Sequence, residues 1–531
     1  MALELARTTQ ETFAGGMVRT QVPEDIPANA AWDLLNTLID ITGAAYRRGG
    51  STYRTAAAFG TGLRFIWDGW LANGGQQTII ASTAAFGRLK GETVENLGGK
   101  GLTSGAPPAV LAGIMYFPGG ETWDGEKVGA AAKTAPFYAI VGNRLVAAIG
   151  HTVYFSKINT PGTFEATDYH ELPGGDETLG LAALRSSCAV FTTGGMWVIA
   201  GMDKNLTDAT GNVQQSLDLY SSDLVLWGSA GIAAWEGALV IPGSDAVYLV
   251  SLGVTSEKSA PFVRISDQIA PLYQEYVKNG YVPGQAVVYR NHYLLPIIGG
   301  GKIVDVLVCR LDMGDGTARG SSPHPWTHLM GFGAQVAAIT MRQSGPGLAP
   351  ELLGAVYGSN ARVLNLAYFD PSASVRHDAD GSTPVWQVVT RSFLTGSNFL
   401  ANLLVKIRVR YQMYAPDQYK GVLLPHGFGD PALHFEDEAV MKCEIGSATM
   451  PKGLSVWGLF RWGLETWGLV SSAGYEQLPG LAPPSVDGKV AHTWFVRRKR
   501  RSVRFRLTCE TATSQLTLRF IELFVRQDGR V

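Results

Sequence analysis

Histidines and carboxylates are the first candidates for chemistry in this chain, and their spacing does not favour a metal site. His324 and His328 are four residues apart, which is the spacing of two zinc ligands on one face of a helix. The prolines at 323 and 325 flank the first histidine and disfavour that helix. The stretch 377–381, His-Asp-Ala-Asp-Gly, resembles the start of a calcium loop but lacks the position-5 ligand and the later glutamate. We therefore predict no metal site, and a solvated interdomain turn at 377–381.

Nucleophilic and phosphate-binding motifs are also missing from the sequence. Its four cysteines (Cys188, Cys309, Cys443 and Cys509) are at least 66 residues apart, so no C-x-x-C motif or disulfide framework is predicted. Neither a G-x-S-x-G elbow nor a G-x-x-x-x-G-K-[ST] loop occurs. A pair of carboxylates could serve a glycosidase, and the acids closest in sequence are Asp168, Glu171, Asp176 and Glu177. Ordinary loop acids are the simpler interpretation, and we predict a protein that is not an enzyme and has no cofactor.

The strongest charge feature is a basic run near the C-terminus, between two strand patterns. It is compatible with a solvated hairpin turn, with contact to nucleic acid, or with contact to an acidic patch such as 436–438 on a neighbouring subunit. Together with Lys406, Arg408 and Arg410 it could make one face of a C-terminal domain cationic. The cluster comprises Arg497, Arg498, Lys499, Arg500, Arg501, Arg504 and Arg506.

A second unusual feature is the triplet Trp-Gly-Leu, which begins at Trp457, Trp462 and Trp467. A repeat of five residues matches neither the helix nor the strand period. We interpret it as an irregular segment whose indoles pack on a neighbouring sheet or subunit, and a stacking platform for sugars or bases is the weaker alternative.

Composition favours a turn-rich β protein of several domains. The chain has 531 residues, of which 64 are glycine and only 17% are charged. Its 44 Lys and Arg residues balance 45 Asp and Glu residues, and a net charge of −1 argues against a dedicated DNA-binding protein. The sequence shows no signal-peptide pattern at its start and no apolar run of 18 residues, so we expect synthesis in a reducing cytoplasm and no membrane span.

Strand and turn patterns divide the chain into three parts. Residues 1–55 form an N-terminal arm or platform segment. Residues 56–380 contain many short strands separated by turns, including hairpins with two-residue turns at 142–143, 236–237 and 290–291, which predicts a β-propeller. A helix is expected only from about Ala270 to Lys278. Residues 381–531 have longer alternating strands, with apolar side chains at odd positions of 403–413 and a bulge near Phe520, which predicts a β-sandwich or platform.

The order of motifs in the first half of the chain resembles the tail hub or nozzle proteins of short-tailed bacteriophages. The similarity covers roughly residues 10–250, and a weaker similarity extends to the C-terminal strands. The motifs are Phe13-Ala14-Gly15-Gly16, Val22-Pro23-Glu24-Asp25-Ile26-Pro27, Asn36, Gly43-Ala44-Ala45-Tyr46-Arg47-Arg48-Gly49-Gly50, Asn143-Arg144-Leu145, Val153-Tyr154-Phe155-Ser156, Thr160-Pro161-Gly162-Thr163-Phe164, Leu172-Pro173-Gly174-Gly175-Asp176-Glu177, Cys188-Ala189-Val190-Phe191 and Met196-Trp197-Val198-Ile199.

This resemblance implies a structural virion protein without catalytic or metal-binding residues. Members of the family form a ring, typically of six subunits, below the portal and adaptor proteins, where tail fibres or spikes also attach. The ring encloses a channel through which double-stranded DNA leaves without specific binding. We accordingly expect a location in the virion tail after assembly in the host cytoplasm, and the basic cluster at a subunit boundary or facing the channel. The alternatives are a carbohydrate-binding or carbohydrate-active propeller and a structural tail protein of a long-tailed phage.

Overall fold

The computed structural model of the chain describes residues 6–21, 25–56, 59, 62–99, 101–102, 106–206, 214–251, 262–313, 324–331, 336–343, 348–358, 361–369, 377–394, 402–414, 441–447, 475–477, 490–500, 502–509 and 515–526. Within these residues nearly all regular structure is β-strand, and one α-helix is present. The fold is all-β and consists of a β-propeller joined to a β-sandwich, as the sequence predicts.

Six short strands precede the first complete blade. The first five belong to the sandwich, and the sixth adds to the last blade of the propeller. They are β1 (Ala6–Gln10), β2 (Gly16–Met17), β3 (Ala30–Leu35), β4 (Thr37–Ile39), β5 (Ala45–Arg47) and β6 (Ser51–Tyr53).

The first five blades are antiparallel four-stranded sheets, each formed by consecutive strands. Blade 1 contains β7 (Leu63–Leu71), β8 (Gly75–Ser82), β9 (Phe86–Lys90) and β10 (Thr93–Gly98). Blade 2 contains β11 (Ala109–Leu111), β12 (Ile114–Tyr116), β13 (Glu121–Trp123) and β14 (Val128–Ala130). Blade 3 contains β15 (Phe137–Val141), β16 (Arg144–Ile149), β17 (Thr152–Phe155) and β18 (Tyr169–Glu171). Blade 4 contains β19 (Thr178–Leu184), β20 (Ser187–Thr192), β21 (Gly195–Ala200) and β22 (Ser216–Ser221), and blade 5 contains β23 (Ala233–Trp235), β24 (Ala238–Pro242), β25 (Val247–Val250) and β26 (Phe262–Arg264).

The last two blades connect the propeller to the rest of the chain. Helix α1 (Ala270–Lys278) leads into blade 6 and has Pro271 in its first turn, where the missing N–H costs no hydrogen bond. Blade 6 contains β27 (Val282–Pro283), β28 (Val287–Tyr289), β29 (His292–Gly299), β30 (Lys302–Arg310) and β31 (Trp326–Leu329). Blade 7 contains β32 (Val336–Arg342), β33 (Glu351–Val356) and β34 (Val363–Leu366), and β6 is its fourth strand. Short 3-10 turns lie at Pro173–Gly175, Ser229–Gly231, Asp267–Ile269 and Leu311–Met313.

The blades close into a seven-membered ring. Blade 7 packs on blade 1 through β32 and β7, and their shared apolar cluster includes Ile66, Ile80 and Leu353. Four other blade boundaries and the boundary between blades 6 and 7 each have a buried apolar cluster, whereas blades 5 and 6 share theirs with the sandwich core. Because β6 comes from the N-terminal part of the chain and the rest of blade 7 from residues after 335, the ring is closed by strands from two distant segments.

Left-handed backbone at the predicted two-residue turns sets the blade hairpins. Gly142 and Asn143 both have positive φ, as do Glu236 with Gly237 and Arg290 with Asn291. Two successive positive φ values define the type I′ turn, whose twist matches that of the flanking strands. The turn residues therefore fix the register of three of the hairpins.

The sandwich consists of two sheets formed by both ends of the described chain. The C-terminal strands are β35 (Trp386–Thr390), β36 (Phe393–Leu394), β37 (Asn402–Tyr414), β38 (Met441–Ser447), β39 (Tyr475–Gln477), β40 (Val490–Arg500), β41 (Ser502–Cys509) and β42 (Gln515–Arg526). The first sheet has the order β4-β5-β42-β37-β40, with β1 also paired to β42. The second sheet contains β2, β3, β35, β36, β41, β38 and β39, and it continues through β31 into blade 6.

One apolar core fills the sandwich and extends to blades 5 and 6. Ile407 and Leu523 from the first sheet and Phe505 and Val388 from the second are fully buried in it. The bulge predicted near Phe520 is present, because Phe520 and Leu518 pair with consecutive residues of β37. A second bulge at 404–406 was not predicted: it places Leu404 in the core, where simple alternation would have placed Leu403.

Candidate interaction surface and buried charge networks

The predicted basic cluster lies in strands rather than in a turn. Strand β40 continues to Arg500 and β41 begins at Ser502, so 497–500 form part of the ladder with β37. In that ladder Lys499 pairs with Leu403 and Arg498 with Leu404. The interpretation of this run as a solvated hairpin turn is therefore wrong for 497–500, and Arg501 lies outside the described residues.

The structure divides the cluster between two sheets. Strand β40 belongs to the first sandwich sheet, whereas Arg504 and Arg506 lie on β41 in the second. The guanidinium of Arg504 lies 5.4 Å from the ring centre of Trp32, and Arg506 is buried, with its backbone opposite Glu444. Since the first and second sheets pack face to face, these two arginines cannot share an outer face with β37 or β40. The single cationic face expected from the sequence is therefore not formed.

A smaller basic face lies on the outer side of the first sheet. We define it as Arg7 of β1 and Lys406, Arg408 and Arg410 of β37, grouped around Glu522 of β42. Side-chain exposure is 50% for Arg7, 41% for Arg408 and 53% for Arg410, whereas Glu522 is 2% exposed. Glu522 lies 2.5 Å from the nearest guanidinium nitrogen of Arg7, and 3.8 and 4.0 Å from those of Arg408 and Arg410. Three guanidinium groups thus share one buried carboxylate.

Aromatic rings support these cations from the same side of the sheet. Arg7 and Arg410 lie over Phe520 at 5.6 and 5.2 Å from its ring centre, and the Lys406 ammonium lies 4.3 Å from that of Phe524. Cations on ring faces are attracted by the ring quadrupole and lose part of their rotamer freedom. The rings therefore help to hold these side chains on the outer side of the sheet.

A buried ion pair locks the junction between propeller and sandwich. Two nitrogens of Arg48 donate to the two carboxylate oxygens of Asp378 at 3.1 and 2.8 Å, and the Ser51 hydroxyl donates to the same carboxylate at 3.1 Å. The Asn36 side-chain oxygen accepts from Nε of Arg48 at 3.0 Å, and the ring of Tyr368 lies 4.6 Å from the guanidinium. The turn predicted at 377–381 exists, but its first carboxylate is fully buried, so the prediction of a solvated turn is wrong for Asp378.

A second buried network contains one of the candidate histidines. The ring nitrogens of His328 lie 3.0 Å from Oδ1 of Asp33 and 3.1 Å from Oδ2 of Asp305. Arg19 donates to the same oxygen of Asp33 at 2.7 Å, and the Tyr276 hydroxyl donates to Asp305 at 2.6 Å. The chain of contacts links the sandwich strand β3 to β30 and β31 of blade 6 and to helix α1. His324 is also buried, but the described residues contain no group of three metal-binding side chains arranged to hold an ion.

Opposite charges set the ionisation of this network. Burial works against the charged imidazolium, but Asp305 and Asp33 together raise the pKa of His328 to about 10. Burial also opposes the charged form of Asp33, yet Arg19 and His328 hold its pKa well below the usual range. Two cations and two carboxylates therefore neutralise each other inside the protein, which is the expected arrangement for buried charges.

Residues in the motifs of the sequence resemblance have framework roles. Arg144 is almost completely buried, and its guanidinium donates to the carbonyl oxygens of Met202 and Ser156 at 3.1 and 2.7 Å. It thereby joins a hairpin of blade 3 to the segment after the third strand of blade 4. Gly16 has φ of +68°, and a Cβ there would lie 2.5 Å from the backbone nitrogen of Trp326.

The remaining candidate residues do not converge on a catalytic centre in the described part of the chain. Burial raises the pKa of the Cys188 thiol to about 12, which makes it a poor nucleophile at neutral pH. The pKa of Asp168 is raised, first by its partial burial and second by the negative charge of Glu165. Glu171 is exposed at the end of β18. A cleft of about 340 Å³ lies between blades 6 and 7, with Arg290 and Glu351 in its wall. Trp457, Trp462 and Trp467 lie outside the described residues.

Sequence reasoning did not identify Glu522, Asp33 or Asp305 as members of these networks. Their partners are up to several hundred positions away, as with His328 and Asp33, and no local pattern connects them. For Asp33 and Asp305, a charged residue within a mostly apolar strand was an available signal, since a buried charge requires a partner. Glu522 alternates with the core residues Ile521 and Leu523, so its position in the sequence indicates a polar face and not a buried charge.

Comparisons with known proteins give no family for this chain. No family model and no curated protein matches its sequence. Solved structures that align with part of the chain include the AfRom2 CNH domain (10% identity, TM-score 0.36, 60% of this chain and 100% of that one). A second is the extracellular domain of a putative hybrid two-component system from B. thetaiotaomicron (10% identity, TM-score 0.39, 61% of this chain and 40% of that one). A third is Raptor from Chaetomium thermophilum (10% identity, TM-score 0.38, 61% of this chain and 29% of that one). Within the described residues, no helix has the length and apolar character needed to cross a bilayer.

Proposed function

We propose that the protein is a structural subunit of a bacteriophage tail nozzle or hub, which assembles into a ring and surrounds the path of the exiting genome. In this proposal the ring has six subunits, contacts portal or adaptor proteins and tail fibres or spikes, and forms part of the virion tail after assembly in the host cytoplasm. The chain has no enzymatic role in it.

The observation that carries this proposal is the framework role of the residues in the resemblance motifs. Asn36 and Arg48 hold the junction between the two domains, and Arg144 ties neighbouring blades together. A subunit that transmits load between its neighbours requires such rigid internal connections, because flexible domains would deform before their interfaces did. Closure of the propeller by β6 and the continuous sheet from blade 6 into the sandwich favour the same role.

Ring formation by the purified full-length chain is the direct test. Negative-stain electron microscopy and native mass spectrometry should detect closed rings, alone or after addition of portal and adaptor proteins. Each subunit boundary should bury well above about 1,000 Å², the usual size of a specific interface. A chain that stays monomeric at micromolar concentration with these partners would contradict the proposal, and turnover of a glycan in a broad substrate screen would favour the carbohydrate-active alternative.

A further inference from the structure

We infer that the basic face on the outer side of the first sandwich sheet binds the phosphate backbone of duplex DNA. The inference rests on the proposed function for the presence of DNA near the assembled protein. The choice of this surface rests on its own charge, exposure and geometry.

Among the described residues, the basic face has an excess of positive charge. The face contains four cations and one carboxylate, a net charge of +3 for these five residues in a chain whose total is −1. Of the exposed charged residues next to the face, Glu11 and Arg526 offset each other, and Arg519 of β42 adds to the positive charge. A surface with this charge attracts a polyanion and would repel another basic surface.

The cations are also placed to reach a partner. Arg408 and Arg410 are about half exposed although their nearest carboxylate is buried, so guanidinium N–H groups remain accessible to solvent. Alternate residues of an extended strand are about 7 Å apart, so Lys406, Arg408 and Arg410 form a row along β37. An extended chain of anions matches such a row better than a single compact anion does.

The aromatic residues of the face indicate which nucleic acid fits. Binding of unpaired bases relies on exposed ring faces for stacking. Here Phe520 lies beneath Arg7 and Arg410, and Phe524 lies beneath Lys406, so cations occupy the ring faces. The two described rings of the face are therefore not open to stacking with bases, whereas the cations can contact phosphates, which favours an intact duplex and binding that is independent of sequence.

A small net charge predicts weak, salt-sensitive binding. About three neutralised phosphates give a slope of about −2.7 in log affinity against log salt, or a loss of about 40-fold between 50 and 200 mM salt. Such contacts would guide a moving duplex without holding it.

The test measures fluorescence anisotropy of a labelled 20-base-pair duplex with the full-length protein across this salt range. The variant K406Q/R408Q/R410Q should lose most of its affinity at 50 mM salt, and the magnitude of its salt slope should fall by about 2.7. The matched control K90Q/K127Q/K278Q removes the same charge from exposed positions on the propeller and α1, and it should keep the wild-type slope. Equal binding by the two triple variants would overturn the inference.

A second variant keeps the test decisive if the triple variant folds poorly. E522Q removes the buried carboxylate and adds one net positive charge, so it should tighten duplex binding and steepen the slope to about −3.6. An unchanged or weaker affinity would contradict the inference. Tighter binding of a single strand than of the duplex, or equally effective competition by polyglutamate, would overturn the assignment to duplex phosphate.

Native mass spectrometry of the same preparations separates this inference from the proposed function. Rings that fail to bind the duplex would overturn the inference alone. Persistent monomers with portal and adaptor present would contradict the proposed function, whatever the anisotropy result.

Discussion

Arg48 and Asp378 are 330 positions apart in the chain and form a two-point ion pair that is shielded from water. Arg48 lies where the chain first leaves the sandwich for the propeller, and Asp378 lies where the chain returns. The two chain segments that connect the domains, which we call the crossings, therefore run side by side and are joined by this ion pair. This pair makes the relative position of the two domains a property of the folded chain rather than of a flexible linker.

We predict that Asp378→Asn destabilises the protein strongly. The substitution keeps the shape of the side chain but removes the carboxylate charge from a buried ion pair with Arg48, a change that typically costs about 3–5 kcal/mol. Chemical unfolding followed by tryptophan fluorescence should show the loss.

Asp380→Asn is the matched control, because Asp380 is exposed in the same turn and accepts a hydrogen bond from the Ser382 backbone N–H. Its effect should stay below about 1 kcal/mol. Similar losses for the two variants would show that Arg48 does not depend on the Asp378 charge.

Steric contact at the same crossing leads to a second prediction, for Gly50→Ala. A Cβ at Gly50 would lie 2.0 Å from the backbone oxygen of His377, so the two crossings would have to move apart. We expect a clear decrease in Tm in differential scanning calorimetry and faster proteolysis between the domains.

Gly162→Ala is the control and should be neutral or slightly stabilising, since a Cβ there meets nothing within 4 Å and the φ of Gly162 is not positive. A normal Tm for Gly50→Ala would mean that the close approach is not maintained in solution.

Local patterns in the sequence predict the local parts of this fold. The two-residue turns fix three hairpins, and Pro271 marks the first turn of α1, because both signals act on neighbouring residues. The number of blades could not be predicted, since blade 7 depends on pairing between β6 and β34, which are about 300 residues apart. The bulge at 404–406 was missed for the same reason: it is visible only in the register with β40 and β42.

The candidate site was predictable only in part. Alternation in 403–413 places Lys406, Arg408 and Arg410 on one face, and the structure confirms it for these three. The grouping with Arg504 and Arg506 failed, because consecutive strands β40 and β41 enter different sheets of the sandwich. No feature of the sequence specifies whether a hairpin pairs with itself or divides between two layers.

A third prediction concerns the basic run at 497–501, which we expect to lie at a subunit boundary or to face the channel. Replacing all five residues with serine should weaken ring assembly or passage of DNA, because the substitution removes five positive charges at or next to strand β40. Ring yield in native mass spectrometry and infectivity of reconstituted particles measure the two effects. Unchanged assembly and infectivity would assign the run to a solvated strand with no partner.

The last prediction concerns the His328 network and alkaline pH. The folded protein holds the His328 proton up to about pH 10, whereas a histidine in the unfolded chain loses it near pH 6.5. A folded-state pKa above the unfolded value contributes stability that is complete below about pH 6.5 and is lost as the pH rises towards 10. In that window the free energy of unfolding should fall by up to about 1.4 kcal/mol per pH unit from this group alone.

Measurements of Tm between pH 7 and pH 9.5 test this relation. The wild-type protein should lose stability across the range, and His328→Gln, although less stable at pH 7, should have a flatter profile because the titrating group is gone. His151→Gln, which changes an exposed histidine of blade 3, should keep the wild-type profile. Parallel profiles for wild type and His328→Gln would show that the imidazole between Asp33 and Asp305 is not protonated in the folded protein.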